Sequence, residues 1–331
     1  MRAILVDTQQ EGRPLVWQET EDPVCGPDEV LVEVYATALN RADLAQRAGN
    51  YPPPPGASEI LGLEMAGRIV QLGANVRGWR VGDRVCALLA GGGYAERVAV
   101  PAAMLMPIPR GWSFEEASAF PEVFFTAFVN LYMEAGLQPG EVVLVHGGAS
   151  GVGTAAIQLA RATANPILVT AGTPEKVARC RELGANLAIH YREEDFVARV
   201  REYTGGEGVD VILDMVGAAY WTRNLDLLRL KGRLVIIATL GGTEATVHLG
   251  TLMRKRLRVI GSVLRSRSLA EKVEIKQRFM ERFWPLLEAG LIKPVIDSVY
   301  PIQEANAAHQ RMAANQNIGK IVLQVRKEGD G

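Results

Sequence analysis

The sequence predicts a two-domain α/β protein, an irregular β lobe followed by a doubly wound, six-stranded parallel sheet. Three observations carry this. The chain has 331 residues, more than one hydrophobic core normally organises. Short apolar runs alternate with helical stretches only beyond about residue 121, which is the grammar of strand-helix-strand units. One strand-like run then feeds a glycine-rich turn that opens into a helix, EVVLVHGGASGVGTAAIQLA.

In the first 110 residues, β-like runs fall at 2–7, 29–36, 65–72, 84–87 and 94–100, separated by Gly and Pro. The four prolines at 52–55 cannot pair within a sheet or continue a helix, because proline lacks an amide hydrogen and fixes φ. The segment 51–56 is therefore expected to be a stiff loop. Strands of the second domain are expected at 141–146, 166–170, 187–190, 209–214, 233–238 and 258–261. Between the first two, Val152, Ala155, Ala156, Leu159 and Ala160 recur at helical spacing and form one buried stripe. Six such strands match a complete dinucleotide-binding domain. The stretch 292–325 has strand-like ends around a short helix, with Ala305, Ala308 and Met312 on one face. It is expected to return to the first lobe.

Composition narrows the function. Apolar residues make up 48% and charged residues 22%, an ordinary globular balance. Lys plus Arg number 36 against 37 Asp plus Glu, so no net field draws in nucleic acid or an anionic membrane. The opening apolar run ends at Asp7, too soon for an export signal, and no later run approaches the length that spans a bilayer. Cys25, Cys86 and Cys180 are widely spaced, without a Cys-x-x-Cys pair. A reducing cytoplasm is the expected compartment.

In the glycine-rich turn, Gly148, Gly151 and Gly153 permit a tight bend, close approach of a pyrophosphate and close helix packing. Ser150 stands where the middle glycine of the dinucleotide fingerprint is usual. Val152 and Thr154 lie in the first turn of the following helix, whose free amides attract anions. A nucleophile elbow would need glycine at Val152, and a nucleotide-hydrolysing loop would need Lys-Ser or Lys-Thr after the glycines. The second strand ends in Val169-Thr170-Ala171-Gly172-Thr173, without the carboxylate that accepts from an unphosphorylated ribose. Thr173, the helix start at Pro174 and Lys176 favour a 2′-phosphate instead, and hence NADPH. Tyr191, just past the third strand, is placed to stack near the adenine.

His146, His190, His248 and His309 are dispersed, and no two share a helix face at metal spacing. No metal site is expected. Hydride transfer without a Lewis acid works best on an acceptor that delocalises negative charge, such as a quinone or conjugated carbonyl.

The segments ALNRADLAQRAGNYPPPPGASEILGLEMAG, ALLAGGGYAERVAVP, HGGASGVGTAAIQLAR and NQNIGKIVL resemble the zinc-free quinone oxidoreductase and zeta-crystallin branch of the medium-chain dehydrogenases/reductases. Within it, the likeness is strongest to the stress-inducible NADPH quinone reductases, and it spans nearly the whole chain. The resemblance implies a GroES-like catalytic lobe from residues 1–121 and 290–331 and a Rossmann-like NADPH lobe from 122–289, with an active cleft at their junction. It implies that Asn40 and Tyr51 line the acceptor pocket and that Thr126 and Arg265 approach the cofactor. Zinc-containing relatives hold their metal at positions that correspond to Asn40, Leu63 and Glu122 here. Two of the three are non-ligands, so catalytic zinc is not expected. The stretch 252–264 resembles the edge through which family homodimers pair. Reduction of alkenal or enone double bonds, and a cofactor-binding structural or redox-sensing role with little turnover, stand as alternatives to quinone reduction.

Overall fold

A computed structural model describes residues 1–329. The chain forms two compact units, Met1–Val123 with Arg265–Gly331, and Phe124–Leu264.

The first unit is built largely from β-strands: β1 (Arg2–Val6), β2 (Leu15–Glu19), β3 (Glu29–Ala38), β4 (Glu64–Leu72), β5 (Arg84–Leu88), β6 (Arg97–Pro101) and β7 (Met106–Pro107), with short helices α1 (Arg41–Arg47) and α2 (Phe114–Ser118). Strand β3 is its spine. Val30, Val32, Val34, Ala36 and Ala38 are fully buried along it, and β-branched side chains suit such a surface. It pairs antiparallel with β4 and with β6. The proline loop lies outside regular structure, as its missing amide hydrogens require.

Helix α3 (Pro121–Phe128) leads into the second unit. There β8 (Val143–His146), α4 (Gly151–Ala162), β9 (Ile167–Ala171), α5 (Pro174–Glu182), β10 (Leu187–His190), α6 (Phe196–Tyr203), β11 (Val209–Asp214), α7 (Trp221–Leu227), β12 (Leu228–Ile236), α8 (Leu249–Lys255) and β13 (Arg258–Gly261) alternate. The six strands run parallel in the order β10-β9-β8-β11-β12-β13. Numbered along the chain this is 3-2-1-4-5-6, the Rossmann order, whose ligands sit at the carboxyl ends of the strands where the order reverses. Its core includes Leu144, Leu168, Ile189, Phe196, Ile212 and Leu234.

The chain then returns to the first unit through α9 (Leu269–Glu288), β14 (Ile296–Pro301), α10 (Ala305–Ala313) and β15 (Lys320–Gln324). Strand β15 pairs antiparallel with β3 and parallel with β14, completing a seven-stranded sheet. Ala305, Ala308 and Met312 are buried on one face of α10, as their spacing predicts.

Two details differ from the sequence reading. The residues 265–289, expected with the nucleotide lobe, belong to the first unit. Phe279 packs against Phe120 with ring centroids 5.4 Å apart, and the Lys276 ammonium donates to the carbonyl of Ala103. Strand β12 begins five residues before the expected 233, because Lys231 takes a left-handed φ of 65° and the chain regains pairing on either side of that kink. Among the described residues no helix is long and apolar enough to cross a membrane.

Candidate active site

In the second unit, Gly147 bends the chain after β8 with φ 71°. A Cβ on Gly148 would lie 2.5 Å from the Val169 side chain, and one on Gly153 would lie 2.3 Å from the Gly147 carbonyl oxygen. The second contact is with backbone and cannot be relieved by a rotamer change. Helix α4 is therefore seated directly on the turn, and the amides of its first residues, Gly151 and Val152, head an anion cradle. The Ser150 hydroxyl accepts from the Gly153 amide at 3.0 Å and keeps its own proton for donation. The Thr154 hydroxyl donates back to the Gly151 carbonyl at 2.9 Å and its amide to the Ser150 carbonyl at 2.8 Å, so Thr154 closes the first turn of the helix. This arrangement fits a dinucleotide pyrophosphate, since any side chain at the close-packed glycines would fill the turn.

Beside it, β9 ends at Ala171. A Cβ on Gly172 would meet the Tyr191 hydroxyl at 2.9 Å, which places that ring against the glycine. The Thr173 hydroxyl caps α5 by accepting from the Lys176 amide at 3.2 Å, and Pro174 opens the helix. Glu175, in the same turn, is exposed. The polar groups at the neighbouring strand ends hold structure. His146 is fully buried, with Nδ1 3.1 Å from the Thr170 hydroxyl and Nε2 2.8 Å from Asn224 Oδ1. Burial pushes its pKa down to about 4, so it is neutral. Asp214 accepts from the amides of Val216 and Gly217 at 2.7 and 3.1 Å.

The first unit contains a buried charge cluster. The Lys320 ammonium donates to Glu64 Oε1 at 2.7 Å, to Asn40 Oδ1 at 2.6 Å and to the Leu39 carbonyl at 2.6 Å. Asn40 Nδ2 donates to Glu64 Oε1 at 2.9 Å and to the Ala38 carbonyl at 3.3 Å. Glu64 Oε2 accepts from the Glu122 amide at 2.8 Å. Asp43 accepts from the amides of Asn40 and Gly62 at 2.7 and 3.1 Å, and the Tyr94 hydroxyl lies 3.3 Å from both Asp43 and His309 Nε2. Burial raises the Asp43 carboxyl to about 6, with the amides and Lys320 holding it from rising further.

Glu122 adjoins this cluster through its amide, and Arg265 and Tyr51 pack on each other. The Arg265 guanidinium is buried; it donates to the Ala90 carbonyl and to Gln46 Oε1, each at 2.8 Å, and lies 5.3 Å from the Tyr51 ring centroid. Burial raises the Tyr51 phenol above its ordinary value; Glu122 adds to the rise and Arg265 opposes it. Burial, and then the charge of Glu64, raise the Glu122 carboxyl to about 8.

The residues selected from sequence thus fall into two groups. Asn40, Tyr51 and Arg265 belong to the first unit. Gly148, Ser150, Gly151, Val152, Gly153, Thr154, Gly172, Thr173, Lys176 and Tyr191 follow the ends of β8, β9 and β10 in the second. Thr126, also in the second, lies on α3 at 9% exposure, and its carbonyl accepts from Asn130 Nδ2 at 2.8 Å. Sequence reasoning missed Asp43, Glu64 and Lys320. For Glu64 and Lys320 the available signal was charge on strands that otherwise read as buried, in GLEMAG and GKIVL. Among the described residues no three His, Cys, Asp or Glu side chains are grouped to hold a metal ion.

Removing one member of a buried ion pair leaves the other charged and unsolvated. Lys320→Met is expected to destabilise the protein by about 3–5 kcal/mol, measured by urea unfolding. A loss below about 1 kcal/mol, the range of surface pairs, would show that water reaches Glu64.

Residues 26–110 match the family described as alcohol dehydrogenase GroES-like domain, and residues 151–282 match zinc-binding dehydrogenase. The chain is 31% identical to the quinone oxidoreductase of Homo sapiens over 328 residues, covering 98% of this chain and 97% of the relative. The crystal structure of Escherichia coli quinone oxidoreductase complexed with NADPH is similar with a TM-score of 0.85 at 31% identity, covering 98% of this chain and 99% of that one. A crystal structure of an NAD-dependent alcohol dehydrogenase has a TM-score of 0.87 at 31% identity, covering 98% and 100%. With a GroES-like unit, a Rossmann-ordered unit and full-length quinone oxidoreductase relatives, the chain belongs to the medium-chain dehydrogenase/reductase superfamily and is an NAD(P)H-dependent oxidoreductase.

Proposed function

We propose that the protein is an NADPH:quinone oxidoreductase that works without a metal ion. The observation that carries the choice of coenzyme is the end of β9. No carboxylate stands between Ala171 and Thr173; Thr173 caps a helix whose first-turn amides and Lys176 favour a phosphate. An acid there would bind an unphosphorylated ribose and repel the 2′-phosphate. The turn from Gly148 to Thr154 would hold the diphosphate, Tyr191 beside Gly172 would flank the adenine, and Thr126 and Arg265 would complete the cofactor's surroundings. NADPH, when bound, supplies the hydride.

On the acceptor side, Asn40 and Tyr51 would line the pocket. Both Nδ2 protons of Asn40 are committed to Ala38 and Glu64, so its amide is a fixed wall. Tyr51 keeps its phenolic proton at neutral pH and can donate a hydrogen bond to an acceptor oxygen. A quinone disperses the arriving charge over its conjugated system, which reduces the need for a Lewis acid; positioning then supplies most of the rate. The relatives named quinone oxidoreductase support this reading.

In the Rossmann-ordered sheet, β13 is an outer strand. Val259 on this strand is 39% exposed, and Met253 on α8 is 74% exposed. An uncovered apolar edge invites another strand, and a second copy of this chain is the proposed occupant. Sedimentation at micromolar concentration is expected to give a dimer; a monomer would contradict this.

The reaction is tested by NADPH oxidation with metal-stripped protein against quinones, enals and enones. Quinones are expected to give the highest kcat/KM. Turnover confined to enals and enones would replace the reading with double-bond reduction, and coenzyme binding without any turnover would leave a structural or sensing role. Lys176→Glu is expected to weaken NADPH by about 1.5–3 kcal/mol, as for loss of a charge-assisted contact, and NADH by less. Equal weakening, measured by calorimetry, would show that Lys176 does not face the 2′-phosphate.

A further inference from the structure

We propose that Glu122 is the acid that protonates the reduced acceptor, a role that rests on the quinone-reductase reading and assigns its proton source. Glu122 is the second residue of α3, and its amide is tied to Glu64 Oε2 at 2.8 Å. Its backbone is therefore fixed by the buried cluster. Its side chain is not: Oε2 is covered and has no hydrogen-bond partner, although the residue as a whole is only half-buried. A carboxyl oxygen removed from water and lacking a donor disfavours the ionised form. The neutral acid is the form that fits.

The surrounding charges act in the same direction on balance. Glu64 on β4 and Asp43 on α1 oppose a further negative charge; Lys320 on β15 and Lys272 on α9 favour it. Because Lys320 already donates to Glu64 at 2.7 Å, its effect on Glu122 is largely matched by that of Glu64. The two oxygens of Glu64 join the Glu122 amide to Asn40, the residue proposed to line the acceptor pocket, and Tyr51 and Arg265 feel the charge of Glu122. Together with burial, these groups raise its pKa to about 8, so at pH 7 most molecules carry the proton. A general acid is most effective when its pKa lies close to the working pH. The Tyr51 phenol, raised above an already high value, is the weaker proton donor and is better suited to orient.

The step balances as follows. The acceptor gains two electrons with the hydride, and the coenzyme is oxidised by two. The Glu122 O–H bond breaks as an O–H bond forms on the reduced acceptor's oxygen. The carboxylate left behind is stabilised by Lys272 and Arg265 until water returns the proton. Quinone, hydride and one proton make the hydroquinone.

Because the acid must be protonated, kcat is expected to be level below pH 8 and to fall as pH rises through about 8. Glu122→Gln keeps the shape but has no acidic proton; it is expected to lose on the order of 100-fold in kcat and the alkaline limb with it, while NADPH affinity is unchanged. Glu122→Asp restores a carboxyl and is expected to recover part of the rate with a displaced limb. A readout independent of turnover is the infrared pH-difference spectrum of the metal-stripped, coenzyme-free protein. A carboxyl band should ionise near pH 8 in the wild type and be missing from Glu122→Gln. A band already ionised at pH 6, or a Glu122→Gln variant with wild-type kcat and pH profile, would overturn the acid role alone. A wild type with which none of the acceptors tested supports NADPH oxidation would overturn the quinone-reductase reading and the acid role together.

Discussion

The first unit depends on one buried ion pair. Lys320 and Glu64 are 2% and 0% exposed and 256 residues apart in sequence, yet they meet at 2.7 Å. Taking both charges out of water costs several kcal/mol per ion, and the arrangement is stable because each has further partners. Lys320 satisfies Leu39 and Asn40; Glu64 accepts from Asn40 and from the Glu122 amide. The last strand of the chain is thus tied to the loop that carries Asn40 and to the helix that carries Glu122. The proposed acceptor side is therefore complete only with the C-terminal strand β15 paired to β3.

In the proposed reading coenzyme and acceptor make different demands on the chain, and the two units answer them differently. A pyrophosphate is bound by backbone amides, so the second unit needs glycines whose missing Cβ atoms let α4 sit on its own turn. Its titratable groups at the strand ends, His146 and Asp214, are occupied with local hydrogen bonds. In the proposed reaction an acceptor that gains a hydride needs a proton and a fixed orientation, which side chains of the first unit can supply. In the first unit, burial raises the carboxyls of Asp43 and Glu122, and the ion pair supplies the rigid support. The folded-state pKa of Glu122 exceeds the ordinary carboxyl value. Its contribution to stability is therefore complete below about pH 4 and is lost as pH rises through about 8.

The nucleotide-binding unit was largely legible in sequence because its constraints are local. Strand, glycine turn and helix are contiguous, and each close-packed glycine excludes a side chain for a reason that adjacent residues explain. The kink at Lys231 was not legible, since nothing in its neighbours demands a left-handed residue. The attachment of α9 was hidden for a different reason. Its apolar period announces a buried face but does not name Phe120, more than 150 residues earlier, as the surface it covers. Asn40 stands at the start of α1, as a cap would, but its amide turns inward to Glu64 and Lys320. That direction is set by charges far away in sequence. A lysine leading the apolar run IVL was a visible anomaly; its partner was not.

The central claim is that the chain is built for a 2′-phosphorylated coenzyme. Calorimetric titration of metal-stripped protein with NADPH and then NADH tests it most directly. The account predicts one equivalent of NADPH per chain, bound at least about tenfold more tightly than NADH, a difference of about 1.4 kcal/mol. Equal affinity for the two, or uptake of neither, would contradict it.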